Sequence, residues 1–189
     1  MRFISYISAS ILAISTISPA FADVTGPYLG GGMGYGMQNL SISGASNTPT
    51  GTPTIRAFGG YQFASWVGIE LGYTYITQAT NWNKLGAAST TIYDFTFTPG
   101  FTIPTTPVTI YSRLGIDTVS ANLDSSFYNQ FFSNMSASFV WGGGVKLDIP
   151  GTHAFVRAEY INYGSAINNN NSSLTTTPSA LMLTAAYVF

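Results

Sequence analysis

The charged residues of this chain follow a two-residue alternation. In the segment 141–151, WGGGVKLDIPG, Lys146 and Asp148 lie in one phase and the aliphatic residues between them lie in the other. Successive side chains of a β-strand point to opposite faces of the sheet. The segment therefore predicts a strand with one apolar face and one face of charge and glycine, and the strand ends at the Pro-Gly turn that follows.

The same phase recurs in five further segments, as where Glu70 stands opposite Ile69 and Leu71. The nine charged residues of this face are Arg56, Glu70, Asp94, Arg113, Asp117, Lys146, Asp148, Arg157 and Glu159. Charged residues make up only 7 % of the chain, against about 25 % in an average soluble domain. A basic residue that faces lipid at the bilayer midplane costs about 2–4 kcal/mol. The charges therefore predict the interior face, and the apolar residues predict a lipid-facing surface.

Eight segments are predicted strands, and the connections between them alternate in length. The strands are residues 28–38, 54–63, 67–78, 91–103, 108–121, 136–149, 154–164 and 179–189. Connections of about 12–15 residues alternate with turns of about three or four, which is the pattern of outer-membrane barrels with their short turns on one side. We therefore expect an all-β fold, an eight-stranded antiparallel up-and-down transmembrane β-barrel.

Pro99 lies inside the fourth predicted strand, 91–103. A proline has no N–H to donate to a neighbouring strand, and it is found mainly at sheet edges, strand starts and bulges. The sequence therefore leaves two alternatives, which are a β-bulge at Pro99 or a strand that ends near Thr98.

The first 22 residues have the features of a secretory signal peptide. Arg2 precedes a largely apolar stretch, residues 4–17, and the small-x-small site Ala20-Phe21-Ala22 follows. Cleavage there would leave residues 23–189 as the barrel domain of an exported protein. The alternative is an uncleaved anchor helix, although the stretch is short for a membrane span and is diluted by serine.

Three segments carry a resemblance to a known family. GPYLGGGMGYG (26–36), FVRAEYINYG (155–164) and LMLTAAYVF (181–189) resemble the first, penultimate and last strands of the OmpA-like and opacity-like outer-membrane barrel superfamily. The resemblance implies the outer membrane of a Gram-negative bacterium, with outer-membrane lipids around the barrel. It also implies that the barrel-assembly machinery recognises the terminal strand, with Tyr187 and Phe189 as the assembly signal.

The sequence contains few residues suited to catalysis or cofactor binding. It has no cysteine and one histidine, His153 in the turn PGTH, which is too little for the usual metal-ligand sets. The segment GGGMGYG does not contain G-x-G-x-x-G and opens no helix, so it is not a nucleotide fingerprint. A net charge of −1 gives no electrostatic footprint for nucleic acid. We expect a non-enzymatic protein with no cofactor, no metal and no nucleic-acid partner.

The interior charges predict a plugged lumen, and the long loops contain the candidate contact residues. An eight-stranded barrel is only just wide enough for its own side chains, so we expect the inward charges to pair and to plug the lumen. Most of the loops are polar and nearly uncharged, but the loop DSSFYNQFFSNM (124–135) carries four aromatic residues. They form a candidate contact patch: Phe127, Tyr128, Phe131 and Phe132.

An interfacial girdle, or a loop folded over the barrel mouth, is the alternative for these aromatic residues. The sequence predicts an envelope-structural or surface-exposed role, as an adhesin or antigen that contacts a host or surface ligand through the loops. The alternative function is a narrow porin-like channel for small or hydrophobic solutes. In that case, replacing Arg113 and Lys146 with alanine should raise the conductance.

Overall fold

The computed structural model describes residues 25–42, 45–46, 51–77, 87–124, 130–133, 138–167 and 174–189. The strands of this part of the chain are β1 (Gly26–Ile42), β2 (Ala45–Ser46), β3 (Thr52–Ala64), β4 (Val67–Ile76), β5 (Ala87–Thr102), β6 (Val108–Asp124), β7 (Gln130–Ser133), β8 (Ser138–Asp148), β9 (Ala154–Asn162), β10 (Ala166–Ile167) and β11 (Leu174–Val188). The predicted signal peptide, residues 1–22, lies outside the described residues. No helix in the described ranges is long and apolar enough to cross a membrane.

The eight long strands form a closed antiparallel barrel. The order is β1, β3, β4, β5, β6, β8, β9 and β11, and β11 pairs with β1 to close the sheet. The closing seam runs from Tyr28 opposite Val188 to Ile42 opposite Leu174. Closure removes the free strand edges that could not be satisfied in lipid. The prediction of an eight-stranded antiparallel up-and-down barrel is confirmed.

The connections fall at two ends of the barrel. Turns at residues 65–66, 103–107 and 149–153 lie at one end, here called the turn end, together with the start of β1 and the end of β11. Gly151 in the last of these turns has φ +75°, a conformation that favours glycine. The other connections leave from the opposite, loop end. The short strands β2, β7 and β10 extend the sheet there by pairing with β1, β6 and β11.

Both alternatives for Pro99 are wrong. β5 continues past the proline to Thr102, and its register to β6 is the same on both sides. The ladder to β6 is interrupted only locally, and the Ser112 hydroxyl donates a hydrogen bond to the Pro99 carbonyl (3.3 Å). Pairing with β4 continues as far as Pro99 and pairing with β6 resumes at Gly100, so the strand does not end near Thr98. A bulge lies instead on β3, where the register to β4 shifts at Phe63.

Side chains alternate between the interior and the lipid-facing surface. On β3, Thr54 and Arg56 are buried whereas Ile55 is exposed. Large apolar residues dominate the outer surface, as with Leu71 (65 % exposed) and Leu183 (64 %). The barrel thus keeps its polar groups inside and presents apolar groups to its surroundings, as expected of a strand barrel in lipid.

Two apolar layers lie inside the barrel. One, the loop-end layer, consists of Ile76, Ile92, Val119, Val140, Ile161, Tyr163, Ala180 and Met182. The other, the turn-end layer, consists of Tyr28, Phe58, Phe155, Ala186 and Val188. Six of the nine inward charges lie between these layers: Arg56, Glu70, Asp94, Arg113, Arg157 and Glu159. The phase of the charges predicted which face points inward but did not predict these layers.

Candidate functional site

Six charged side chains from five strands meet in the lumen. This charge cluster consists of Arg56 on β3, Glu70 on β4, Asp94 on β5, Arg113 on β6, and Arg157 and Glu159 on β9. Each residue is at most 3 % exposed. Three guanidinium groups face three carboxylates, so the cluster as a whole carries no net charge. Neutrality matters because an uncompensated buried charge costs several kcal/mol, on the order of 3–5.

Glu70 is the centre of the cluster. Its carboxylate contacts the guanidinium groups of Arg113 (2.7 Å), Arg157 (2.9 Å) and Arg56 (3.1 Å). The phenol of Tyr28 donates a further hydrogen bond to Glu70 Oε2 (3.1 Å). One carboxylate therefore holds three cations that come from three different strands, and charge-assisted bonds of this kind are the strong ones in proteins.

Arg56 forms a bidentate salt bridge with Asp94. Its Nη1 and Nη2 donate to the two carboxylate oxygens of Asp94 at 2.7 Å and 2.8 Å. Nη1 also donates to the Thr74 hydroxyl at 2.7 Å. Gly72 backs this pair, because a side chain there would overlap the Arg56 guanidinium and the Asp94 carboxylate. A glycine on the charged face thus leaves the space in which the ion pair is built.

Glu159 closes the cluster on the far side of Arg113. Its Oε2 accepts hydrogen bonds from Arg113 Nη2 and from the Tyr111 phenol, both at 2.8 Å. Arg157 Nη2 lies 3.7 Å from Glu159 Oε1. The phenols of Tyr28 and Tyr111 therefore bind the two glutamates from the same side of the cluster.

The other three predicted lumen charges lie apart from the cluster. Lys146 Nζ pairs with Asp148 Oδ1 (3.2 Å) near the turn end, and the Asp148 side chain is 34 % exposed. Asp117 is buried towards the loop end, where the Ser138 hydroxyl and the Gly164 N–H donate to its carboxylate at 2.5 and 2.7 Å. The nine predicted charges therefore form one central cluster, one pair at the turn end and one carboxylate held by neutral donors.

The candidate contact patch is only partly within the described residues. Phe127 and Tyr128 lie outside them. Phe131 and Phe132 belong to β7, opposite Asn122 and Ala121 of β6. The patch stays a prediction.

The C-terminal strand ends in an exposed aromatic group. Tyr187 and Phe189 are 50 % and 69 % exposed, with ring centroids 5.3 Å apart. The ring of His153, from the turn between β8 and β9, stacks on Tyr187 at 6.0 Å. The N–H of Phe189 donates to the Pro27 carbonyl (2.9 Å), which fastens the end of the chain to the start of β1. Recognition of Tyr187 and Phe189 by the assembly machinery stays a prediction.

The chemistry that the described residues offer is pairing and packing. In these residues no three His, Cys, Asp or Glu side chains are placed to hold a metal ion. His153 is exposed in its turn and contacts an aromatic ring. The polar side-chain atoms of the lumen are largely bonded to one another, so the arrangement can stabilise the barrel and obstruct its interior.

The comparisons with known proteins agree with this architecture. A family model described as "Outer membrane protein beta-barrel domain" matches residues 7–189. Among solved structures, Neisserial surface protein A (NspA) is 17 % identical with a TM-score of 0.59, covering 86 % of this chain and 97 % of that chain. Ail, the attachment invasion locus protein of Yersinia pestis, is 18 % identical with a TM-score of 0.55, covering 87 % and 99 %.

A third similar structure is the outer membrane protein OprG from Pseudomonas aeruginosa, which is 16 % identical with a TM-score of 0.51, covering 87 % of this chain and 97 % of that chain. At such identities the likeness establishes the fold alone. No curated protein sequence matches this chain.

Proposed function

We propose that this chain, which belongs to the outer membrane protein β-barrel domain family, is an outer-membrane protein of a bacterium. It acts through its long loops and not through its lumen. The observation that carries the proposal is the packed interior. The six residues of the charge cluster pair with one another and are at most 3 % exposed. In barrels of this type the long loops face the cell exterior, where a partner can reach them.

The proposed role is surface exposure and attachment, with a structural contribution to the envelope. Two proteins of similar fold support this choice, since one is named a surface protein and another an attachment invasion locus protein. The aromatic residues of the loop 124–135 are the proposed point of contact, because exposed aromatic clusters often mark interaction sites.

The proposed role is also non-enzymatic. Outer-membrane chemistry on lipid or on external substrates needs an activated nucleophile or a base at a suitable surface. The single histidine, His153, lies at the turn end, and its ring stacks on Tyr187. A side chain at that end is remote from the loops through which the protein is proposed to act.

Replacing Phe127, Tyr128, Phe131 and Phe132 with serine should reduce attachment about tenfold or more, since a few aromatic residues commonly dominate a protein interface. The measurement is adhesion to cultured epithelial cells of a non-adherent Gram-negative strain that expresses the chain. A matched control replaces Asn169, Asn170 and Asn171 with serine in another long loop and should leave adhesion unchanged. Equal adhesion of the aromatic variant and the parent, at equal surface expression, would contradict the loop proposal.

The purified barrel should produce no single-channel current steps in a planar lipid bilayer. The reason is that the charge cluster and the two apolar layers fill the lumen with buried side chains. A heat-modifiable shift on a gel confirms that the sample has folded before recording. Reproducible small steps that depend on the folded protein would favour the alternative, a narrow porin-like channel, over a plugged barrel.

A further inference from the structure

We infer that water reaches the charge cluster from the turn end only, past a latch made by Lys146, and that the loop-end layer seals the opposite end. The inference concerns the interior of the barrel and holds whether or not the loops bind a partner. It rests on three observations, which are the buried apolar loop-end layer, a small cavity lined in part by polar side chains, and a hydrogen bond across the turn end of the barrel.

The seal is the loop-end layer. Its eight members are at most 2 % exposed, and they come from β4, β5, β6, β8, β11 and the end of β9. Thr54, Thr90 and Ser179 are buried in the same half of the lumen. The phenol of Tyr163 extends from this layer to the cluster, with hydrogen bonds to Thr74 (2.9 Å) and Arg56 (3.3 Å). Apolar constrictions of this kind exclude water because they offer it few hydrogen-bond partners.

The cavity lies on the other side of the cluster. It has a volume of about 30 Å³, and its lining includes Gln62, Thr98, Thr109, Lys146 and Arg157. That volume is sufficient for about one water molecule. These polar side chains share the lining with apolar ones such as Trp66 and Phe155, and they offer a water molecule more hydrogen-bond partners than the loop-end layer does.

The cavity adjoins the charge cluster directly. Tyr28 and Tyr111, which donate to Glu70 and Glu159, are also part of its wall. Arg157 lines it as well, and the buried Nη2 atom of Arg157 has no hydrogen-bond partner among the described residues. A water molecule in the cavity could therefore satisfy a group that the cluster leaves unbonded.

The latch spans the mouth of the cavity. Lys146 Nζ, on β8, donates to the carbonyl oxygen of Ser65 (2.7 Å), in the turn between β3 and β4. Two strands, β5 and β6, separate β8 from β4 around the barrel. The neighbouring Asp148 side chain is 34 % exposed, which places the latch at the boundary with solvent. A lysine side chain is long and flexible, so its release would open the mouth without movement of the strands.

The absence of cysteine from the chain allows a direct test. Single cysteines are placed at Thr109 (T109C), in the cavity wall, and at Val140 (V140C), in the loop-end layer, and the refolded proteins are held in lipid nanodiscs that expose both ends. The probe is Ag⁺, a small thiol-reactive ion, and the cysteine-free parent is the control. The rate of reaction is measured by intact mass, with the heat-modifiable gel shift as proof of folding.

We expect T109C to react with Ag⁺ and V140C to remain unreacted. Adding Lys146→Met should accelerate the reaction of T109C about tenfold or more, because the bond removed is charge-assisted. Lys146→Arg should restore the slow rate, and V140C should remain protected in every background. Should Lys146→Met fail to fold, Lys146→Gln serves in its place.

Three results would overturn the inference. Reaction of V140C at a rate similar to that of T109C would show that the loop end is open. Complete protection of T109C would show that the turn end is closed to small ions. A rate for T109C that does not change when Lys146 is replaced would remove the latch.

Discussion

Glu70→Gln should lower the free energy of unfolding by about 3–5 kcal/mol, because it leaves three buried guanidinium groups with one carboxylate fewer. The glutamine side chain has nearly the same volume, so the loss reports charge and not packing. Glu70 contacts Arg56, Arg113 and Arg157 within 3.1 Å, and each of these residues is at most 3 % exposed. The expected loss is a large part of the stability of an ordinary domain, which is about 5–15 kcal/mol.

Urea unfolding in lipid vesicles measures this loss through the fluorescence of the three tryptophans of the chain, of which Trp66 and Trp141 are exposed. Asp148→Asn is the matched control, because it removes a carboxylate from a partly exposed pair and should cost about 1 kcal/mol or less. Combining Glu70→Gln with Arg157→Gln restores neutrality and should recover part of the loss. A Glu70→Gln protein that unfolds within about 1 kcal/mol of the parent would show that the cluster does not behave as a buried network.

Gly72→Ala should destabilise the barrel by about 1–3 kcal/mol or more, although it adds a single methyl group. The new Cβ would lie 2.6 Å from both Arg56 Cζ and Asp94 Oδ2. A flexible side chain elsewhere could move aside, but Asp94 and Thr74 hold this guanidinium by three hydrogen bonds of 2.7–2.8 Å. The methyl group therefore displaces an ion pair and forces its charges apart.

Gly59→Ala is the matched control for this substitution. Gly59 lies on β3, opposite Leu71 of β4. The Cβ of an alanine at this position would meet only ordinary contacts, and the nearest atom is the Tyr28 carbonyl oxygen at 3.4 Å. Alanine is favoured over glycine in a strand by about 0.5–1 kcal/mol, so Gly59→Ala should be neutral or slightly stabilising. Both variants are compared with the parent by urea unfolding. Equal midpoints for the two alanine variants would contradict the steric role of Gly72.

Much of the fold could be predicted from the sequence because membrane and lumen impose opposite chemistry on alternate residues. Arg56, Glu70 and Arg157 share the inward phase, and that phase alone determines the face of each strand. The strand ends towards the turns were predicted closely. β5 and β11 begin earlier than predicted, at Ala87 and Leu174, because their ladders to β6 and β1 continue beyond the alternating segment.

The arrangement inside the barrel could not be predicted in the same way. Phase places a residue on a face, whereas pairing depends on its height in the lumen and on the stagger between strands. For that reason the phase does not distinguish Asp117 from the charges of the cluster, although Ser138 and Gly164 hold its carboxylate. Val140 and Ile161 have the same phase as the charged residues of β8 and β9, so the sequence indicates that both point inward. This shared phase is the one feature of the sequence that indicates the loop-end layer.

The composition of the charge cluster has a consequence for how the barrel is assembled. Glu70 on β4 and Arg157 on β9 are far apart in the sequence and are not on neighbouring strands, so they meet only when the sheet has curled round on itself. In an open sheet within the bilayer, Glu70 and Arg157 would lack each other as ion-pair partners, at a cost of several kcal/mol per ion. The lowest-energy route into the membrane is therefore one in which insertion and curling advance together, so that the ions enter lipid already neutralised. We therefore expect the barrel to have few stable half-inserted states and to fold in one cooperative step.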